Sequence, residues 1–436
     1  MHSPQSVNAI AVRRALDLCE EASFLWASRS FAVHHSALTF GTLARLDRRL
    51  SNLLSELSQS PILSHWPQAG ERGGFESGRA FVTAVLALRS EAVTIFEELV
   101  TRLESQPHLL SPLASALAWL ECDEVRACIE GLLAAPAPAA VRLGIAGLTA
   151  HRLVPMRTLA HALDAESPIL RAAALEAVGR LGVQSLRPRL RVALEEDDAH
   201  CRFWAAWSAV RLGDRAGIAV LGRVAVGGGV LATPACEMAL RALDPDEAVR
   251  AHARLQSVAA HERLAAVSAG IIGDPTLADW LLQKMTFPSA ARAAGAAFCL
   301  MTGGDLRRDD LDSAGPPAPY RSEQAAADTP ESDDVDGQGS PDQTGSAPGD
   351  EIDEDLAWPD ATRLREWWAR NRRAFVPGNR YLAGMPIHQA ELMTVLRTGN
   401  QPQRAAAALE LALLDPGTPM LDVTAPAHRQ SGAPDA

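Results

Sequence analysis

From Pro112 to Gly304 the sequence repeats itself about every thirty residues, and this period limits what the chain can fold into. The clearest unit, SPILRAAALEAVGRLGVQSLRPRLRVALEED, runs from Ser167 to Asp197. The next, DAHCRFWAAWSAVRLGDRAGIAVLGRVAVGG, runs from Asp198 to Gly228. Arg171 and Arg202 hold one place 31 residues apart, and each is followed eleven residues later by a glycine, Gly182 and Gly213. Arg142 lies 29 residues before Arg171, and Pro234, Arg263 and Arg292 follow Arg202 at steps of 32, 29 and 29. A fixed period of this length marks stacked supersecondary units, each resting on its neighbours, rather than one globular core.

Each unit reads as two helices. Ser167 can cap the first, and Pro168 suits its first turn, where a missing N–H costs no bond. Ala172, Ala174, Leu175, Val178 and Leu181 then form an apolar stripe at helical spacing. Gly182 suits the left-handed residue that ends a helix. Ser185 can open the second helix, and Asp274-Pro275 repeats the cap-then-proline signal before LADWLLQKM. Alanines crowd the first helices and let neighbours approach closely. The expected fold class is therefore all-α, an α-solenoid of helix pairs.

Length alone, 436 residues, suggests two or three globular domains. The repeat makes one elongated array the more economical reading. We divide it into an N-terminal helical cap (1–75), the repeats (76–304), an acidic insert (305–357) and a C-terminal helical cap (358–436) that completes the array. Early units depart from the pattern: eleven residues after Pro112 stands Asp123, where later units carry glycine. Asp305 to Asp355 hold 16 acidic and 3 basic residues, which accounts for the net charge of −12 and leaves the rest near neutral. With almost no large apolar side chain, this stretch cannot offset the entropy of ordering and reads as disordered. Helical patterning resumes at WPDATRLREWWARNRRAF and continues through HQAELMTVLRTG and QPQRAAAALELALLDPG, where Arg404 and Asp415 repeat the eleven-residue spacing. We expect Trp358 to Asp422 to cover the Arg292 unit, whose Phe298, Leu300 and Met301 an exposed end would present to water.

The two-helix units resemble HEAT-like repeats of the phycobilisome-lyase type, in which a small or acidic residue, an arginine and an Ala-rich helix ending in Leu-Gly recur. EEASFLWASRSFAVHH with LARLDRRLSNLLSEL, SALAWLE, and GNRYLAGMP with LRTGNQPQRAAAALELALLDPG and APAHRQ resemble a proteobacterial HEAT-repeat family of unassigned function. That resemblance covers most of the chain apart from the acidic insert. It implies an association with type VI secretion gene clusters, and hence a secretion-system component, an effector or a toxin as partner.

No reaction chemistry is written into the residues, and no cofactor is implied. There is no phosphate-cradling glycine loop ending in Gly-Lys-Ser/Thr and no nucleophile elbow. His261-Glu262 is the only His-Glu pair, too few for the di-iron centre of HEAT-like hydroxylases; His34-His35 lacks carboxylates at helical spacing. The run from Asp334 places Gly345 where a calcium loop needs its bidentate glutamate. The six cysteines show no zinc spacing and read as small buried hydrophobes in a reducing compartment. No leader-like core or membrane span is seen, so a cytoplasmic protein is expected. Arg142, Arg171, Arg202, Arg263 and Arg292, with Arg404 beyond the insert, are read as structural positions that bond neighbouring repeats or loop carbonyls. A near-neutral body argues against general nucleic-acid binding. Trp207, aligned with Glu176 on what reads as a solvent-facing position, is the candidate anchor for a protein partner. The preferred function is a non-enzymatic protein-binding scaffold or adaptor. The rivals are a metal-dependent or lyase-like enzyme and nucleic-acid binding through the repeat arginines.

Overall fold

The computed structural model describes residues 4–36, 38–59, 76–90, 92–316 and 353–430. Among them the chain is all-α and solenoid-like, with only four two-residue strands. It falls into two compact units, Met1–Val220 with Leu396–Ala436, and Leu221–Val395. None of the described helices is long and apolar enough to cross a membrane.

In the first unit, α1 (Pro4–Ala32), α3 (Glu76–Arg89), α5 (Leu110–Trp119), α7 (Pro138–Ala150), α9 (Pro168–Arg180) and α11 (Ala199–Arg211) stack side by side in chain order. The intervening helices α2 (Phe40–Ser58), α4 (Val93–Thr101), α6 (Cys122–Ala134), α8 (Met156–Leu163) and α10 (Arg187–Ala193) pack against members of that row. The alanine-rich composition of the row sets its spacing. On α9, Ala174, Leu175, Ala177 and Val178 are buried. A Cβ added to Gly179 would stand 2.2 Å from Ser208 Oγ, and Ser208 in turn donates to the Leu175 carbonyl at 2.6 Å. Glycine thus admits α11, and a hydroxyl bridges the two backbones. Pro168 occupies the first turn of α9 as expected, but Ser167 makes no side-chain cap bond; at the next repeat Asp198 does cap, accepting from Cys201 N–H at 2.8 Å.

The last part of this unit comes from the end of the chain. α20 (Gln401–Leu414) is capped by Asn400 and bonded at its start to the α1–α2 connection, where Gln401 N–H donates to Leu38 O at 2.9 Å. A non-helical stretch then runs to α21 (Ala427–Gln430). Along the way Met420 N–H donates to Arg180 O at 2.7 Å, and Arg211 donates to Thr418 O at 2.5 Å.

The second unit repeats the stacking with α13 (Ala232–Ala242), α15 (Glu262–Ile272) and α17 (Pro288–Thr302), flanked by α14 (Pro245–Gln256) and α16 (Ala278–Lys284). Both edges of the acidic segment are built into it. β1 (Asp312–Ser313) pairs antiparallel with β2 (Trp358–Pro359), Leu311 is buried, and Asp353 is buried as the partner of Arg263. This corrects the reading of the whole stretch from Asp305 to Asp355 as unstructured: a few residues at each end find apolar and arginine partners. The expectation for 317–352, including the run at Asp334, lies outside the described residues.

The segment after the insert is shared between the units. α18 (Ala361–Asn371) sets Trp367 and Trp368 edge-on against Phe298, each with ring centroids 5.8 Å away. The hairpin β3 (Tyr381–Leu382) and β4 (Met385–Pro386) follows, bonding Ala383 N–H to Leu300 O at 2.7 Å. Phe298 and Met301 are thereby fully buried. Of this segment, Trp358 to Val395 belongs to the second unit, whereas from Leu396, within α19 (Gln389–Thr398), onward the chain belongs to the first.

Two glycines separate helix ending from tail packing. Gly182 and Gly213 both have positive φ, +71° and +85°, but a Cβ at Gly213 meets nothing, whereas one at Gly182 would stand 2.8 Å from Gly417 O. Gly213→Ala should cost about 1–2 kcal/mol from left-handed strain alone. Gly182→Ala should cost roughly 2–4 kcal/mol, because the tail must also shift. Urea unfolding of the two variants checks the difference, and equal losses would remove the tail from Gly182.

Candidate functional site

One face of the first unit's helix row is repeated with unusual regularity. Ser111, Ala114, Ser115 and Ala118 on α5 stand at i, i+3, i+4 and i+7, the spacing of a single helix face. Adding 31 gives Arg142, Ile145, Ala146 and Thr149 on α7, and adding 31 again gives Ala173, Glu176, Ala177 and Arg180 on α9. These three rows line a cavity of about 660 Å³, with Trp26 and Arg29 of α1 at one side and residues from Pro419 to Arg429 as the remaining wall. A further step of 31 reaches Trp204, Trp207, Ser208 and Arg211 on α11.

The cavity wall is held by a buried ion pair. Arg29 Nε donates to Asp47 at 2.5 Å, and its Nη2 donates to the carbonyls of Thr424 and Ala425 at 3.0 and 3.1 Å. Asp47 also accepts from Ala427 N–H at 2.7 Å. Arg429 donates to Ala118 O and Ala150 O, both at 2.9 Å, tying the tail to α5 and α7. Arg180 is paired with Glu176 at 2.7 Å. Desolvation opposes its charge, but the carboxylates of Glu176 and Asp422 outweigh that and raise its pKa. His151 places Nε2 2.8 Å from Leu117 O and keeps Nδ1 buried without a partner; burial lowers its pKa. Arg211, fully buried with Nε and Nη1 unpartnered, is pushed down to about 10 by desolvation.

The arginines singled out from the sequence do not share one environment. Arg171 donates to Ala165 O and Glu166 O, both at 2.9 Å, and pairs with Glu196. Arg202 donates to the equivalent carbonyls, Glu196 O and Asp197 O, at 2.6 and 2.9 Å. Arg142 sits one residue later on its helix, the fifth rather than the fourth. One residue turns a side chain by about 100°. Arg142 therefore leaves the loop carbonyls and faces the cavity, on the row of Ser111 and Ala173. Arg263 and Arg292 converge on Asp353: the first through its carboxylate at 2.6 and 2.8 Å, the second through its carbonyl at 3.0 Å while lying over Trp358. Arg404 is buried, donating to Leu396 O and to the side chains of Gln401 and Gln430.

Trp207 is only 6% exposed, correcting its expected solvent-facing position. The alignment with Glu176 places it on the cavity-side row, where it packs edge-on against Trp204 with Arg180 over both rings. The sequence signal for this row is its period of 31, from Ser111 through Arg142 and Ala173 to Trp204.

Burial pushes the thiols of Cys19, Cys201, Cys236 and Cys299 up to about 12, and that of Cys128 up to about 11, so these are not thiolates at neutral pH. Among the described residues, no three His, Cys, Asp or Glu side chains gather as a metal-binding group. His34, whose pKa burial lowers, borders the cavity; His261 ends a 3-10 turn.

Residues 156–227 match the family model for HEAT repeats, so α8 to α12 (Gly217–Val226) carry the repeat in recognisable form. No curated protein and no solved structure matches the chain.

Arg171→Ala and Arg202→Ala should each lower stability by about 1–3 kcal/mol, since loop carbonyls lose charged hydrogen bonds. Arg142→Ala should leave stability within about 0.5 kcal/mol of wild type, because its guanidinium faces open space. Thermal or urea unfolding of the three variants checks the contrast.

Proposed function

We propose that the chain is a protein-binding scaffold without catalysis of its own, and that it holds an extended stretch of a partner polypeptide along the cavity face of the first unit. The observation that carries this reading is the chain's own C-terminal segment. Between α20 and α21 it is non-helical, and the unit receives it largely through backbone groups: the carbonyls of Thr418, Thr424 and Ala425 and the amide of Met420. Bonds to backbone accept an extended chain with little regard to its side chains, leaving specificity to the flanking pockets. Stacked repeats of the HEAT kind supply a long surface of this type.

Within this reading the repeats are of the phycobilisome-lyase type, the protein is cytoplasmic, and the partner is a component or effector of a type VI secretion system. The support for these finer points is the resemblance of the two chain ends to the proteobacterial family. Nucleic-acid binding through a ladder of repeat arginines is disfavoured, because Arg171 and Arg202 hold their own loops and Arg404 is buried.

A photo-crosslinking amino acid at Thr149, in the cavity, tests the reading against one at Val192, which is 78% exposed on α10. In the native host, a discrete protein adduct is expected from position 149 and none from 192. Adducts from 192 alone would contradict the assigned face.

A further inference from the structure

The cavity keeps open volume beside the C-terminal segment, and its charge is unbalanced. Five arginines line it, Arg29, Arg142, Arg152, Arg180 and Arg429, against two carboxylates, Glu176 and Asp422. Asp47 neutralises Arg29 from behind, so two positive charges remain. The guanidinium groups of Arg142 and Arg152 make no hydrogen bond or ion pair among the described residues, and Arg152 is exposed just past the end of α7. With the acidic insert set apart the chain is near neutral, so this is a local positive excess. The chain also supplies a sample of what such a surface accepts. Asp422, on the C-terminal segment, lines the same cavity as Arg180, Arg429 and His34.

We propose that the open part of this cavity takes an acidic, extended segment of a partner protein, whose carboxylates pair with Arg142 and Arg152, as Asp422 of the chain itself already shares the cavity with Arg180 and Arg429. This rests on the scaffold reading above and names the chemistry of its ligand. Carboxylates suit the site better than a nucleic-acid backbone does. Single-stranded nucleic acid needs open aromatic faces for its bases, and Trp26 and Trp119 are each only 4% exposed. Glu176 and Asp422 would also repel a dense row of phosphates, whereas a peptide can place neutral residues opposite them. The pairing lies at a partly open surface, so salt should weaken it.

The probes are a fluorescein-labelled Glu-Asp-Gly repeat peptide, its Gln-Asn-Gly counterpart and an oligo-dT of similar length, followed by anisotropy with the full chain at low salt. The acidic peptide should bind at least about tenfold more tightly than the neutral one, a gap of one well-formed ion pair in a partly shielded site. Arg142→Glu and Arg152→Glu should each abolish that preference with the melting temperature unchanged, and Arg142→Lys should retain most of it. Equal binding of the two peptides, or indifference to Arg142→Glu, overturns the proposal. So does oligo-dT binding more tightly than the acidic peptide and being lost in the same variant. The crosslink at position 149 separates the two levels: if it persists while the acidic preference is absent, the scaffold reading stands and only the ligand chemistry falls.

Discussion

The buried Arg29–Asp47 pair joins four parts of the first unit that the repeat rhythm alone would not connect. Arg29 comes from α1, Asp47 from α2, and both use their remaining bonds on the C-terminal segment, at Thr424, Ala425 and Ala427. The guanidinium also lies 5.6 Å from the Trp119 ring centroid, on α5. With side chains exposed by only 8% and 5%, neither charge can turn to water. Removing one partner from such a pair typically costs about 3–5 kcal/mol, because the other is left buried and uncompensated. Its bonds run to each of these segments and so fix how they meet.

Around that fixed point the repeats meet a simpler constraint. Two short helices cannot bury their apolar faces alone, so every unit needs a neighbour on each side. Small residues let the neighbours approach, as at Gly179 against Ser208 and at Gly270, where a Cβ would lie 2.7 Å from the Cα of Ala297. Arg171 and Arg202 then hold their connecting loops by the carbonyls. Stacking leaves one face of α5, α7 and α9 open, and those faces, 31 residues apart, become the cavity wall. The fold and the cavity face thus arise from the same period.

Much of this was legible beforehand, because helix pairs are encoded by local spacing. The apolar stripe of α9, the positive φ at Gly182 and Gly213, and the proline at the start of α9 all follow from residues within a few turns of each other. Two things were not legible. The distance from Arg142 to Arg171 fits the repeat, yet a one-residue offset from the helix start rotates Arg142 onto another face. Trp207 does share a row with Glu176, but whether that row meets water depends on packing beyond its own repeat. Likewise the spacing of Arg404 and Asp415 announces a helix without saying which helices it meets. Arg29 and Thr424 lie 395 residues apart, and no local pattern carries a contact of that range.

The account stands or falls on the C-terminal segment lying along the first unit. Hydrogen exchange of the backbone amides from Thr418 to Gln430 measures this in the intact protein. Met420 N–H is bonded to Arg180 O and Ala427 N–H to Asp47, each at 2.7 Å. Both amides should exchange at least about a hundredfold more slowly than in the isolated peptide, since exposure requires a local opening. Exchange of these two amides at the rate of the isolated peptide would contradict the account.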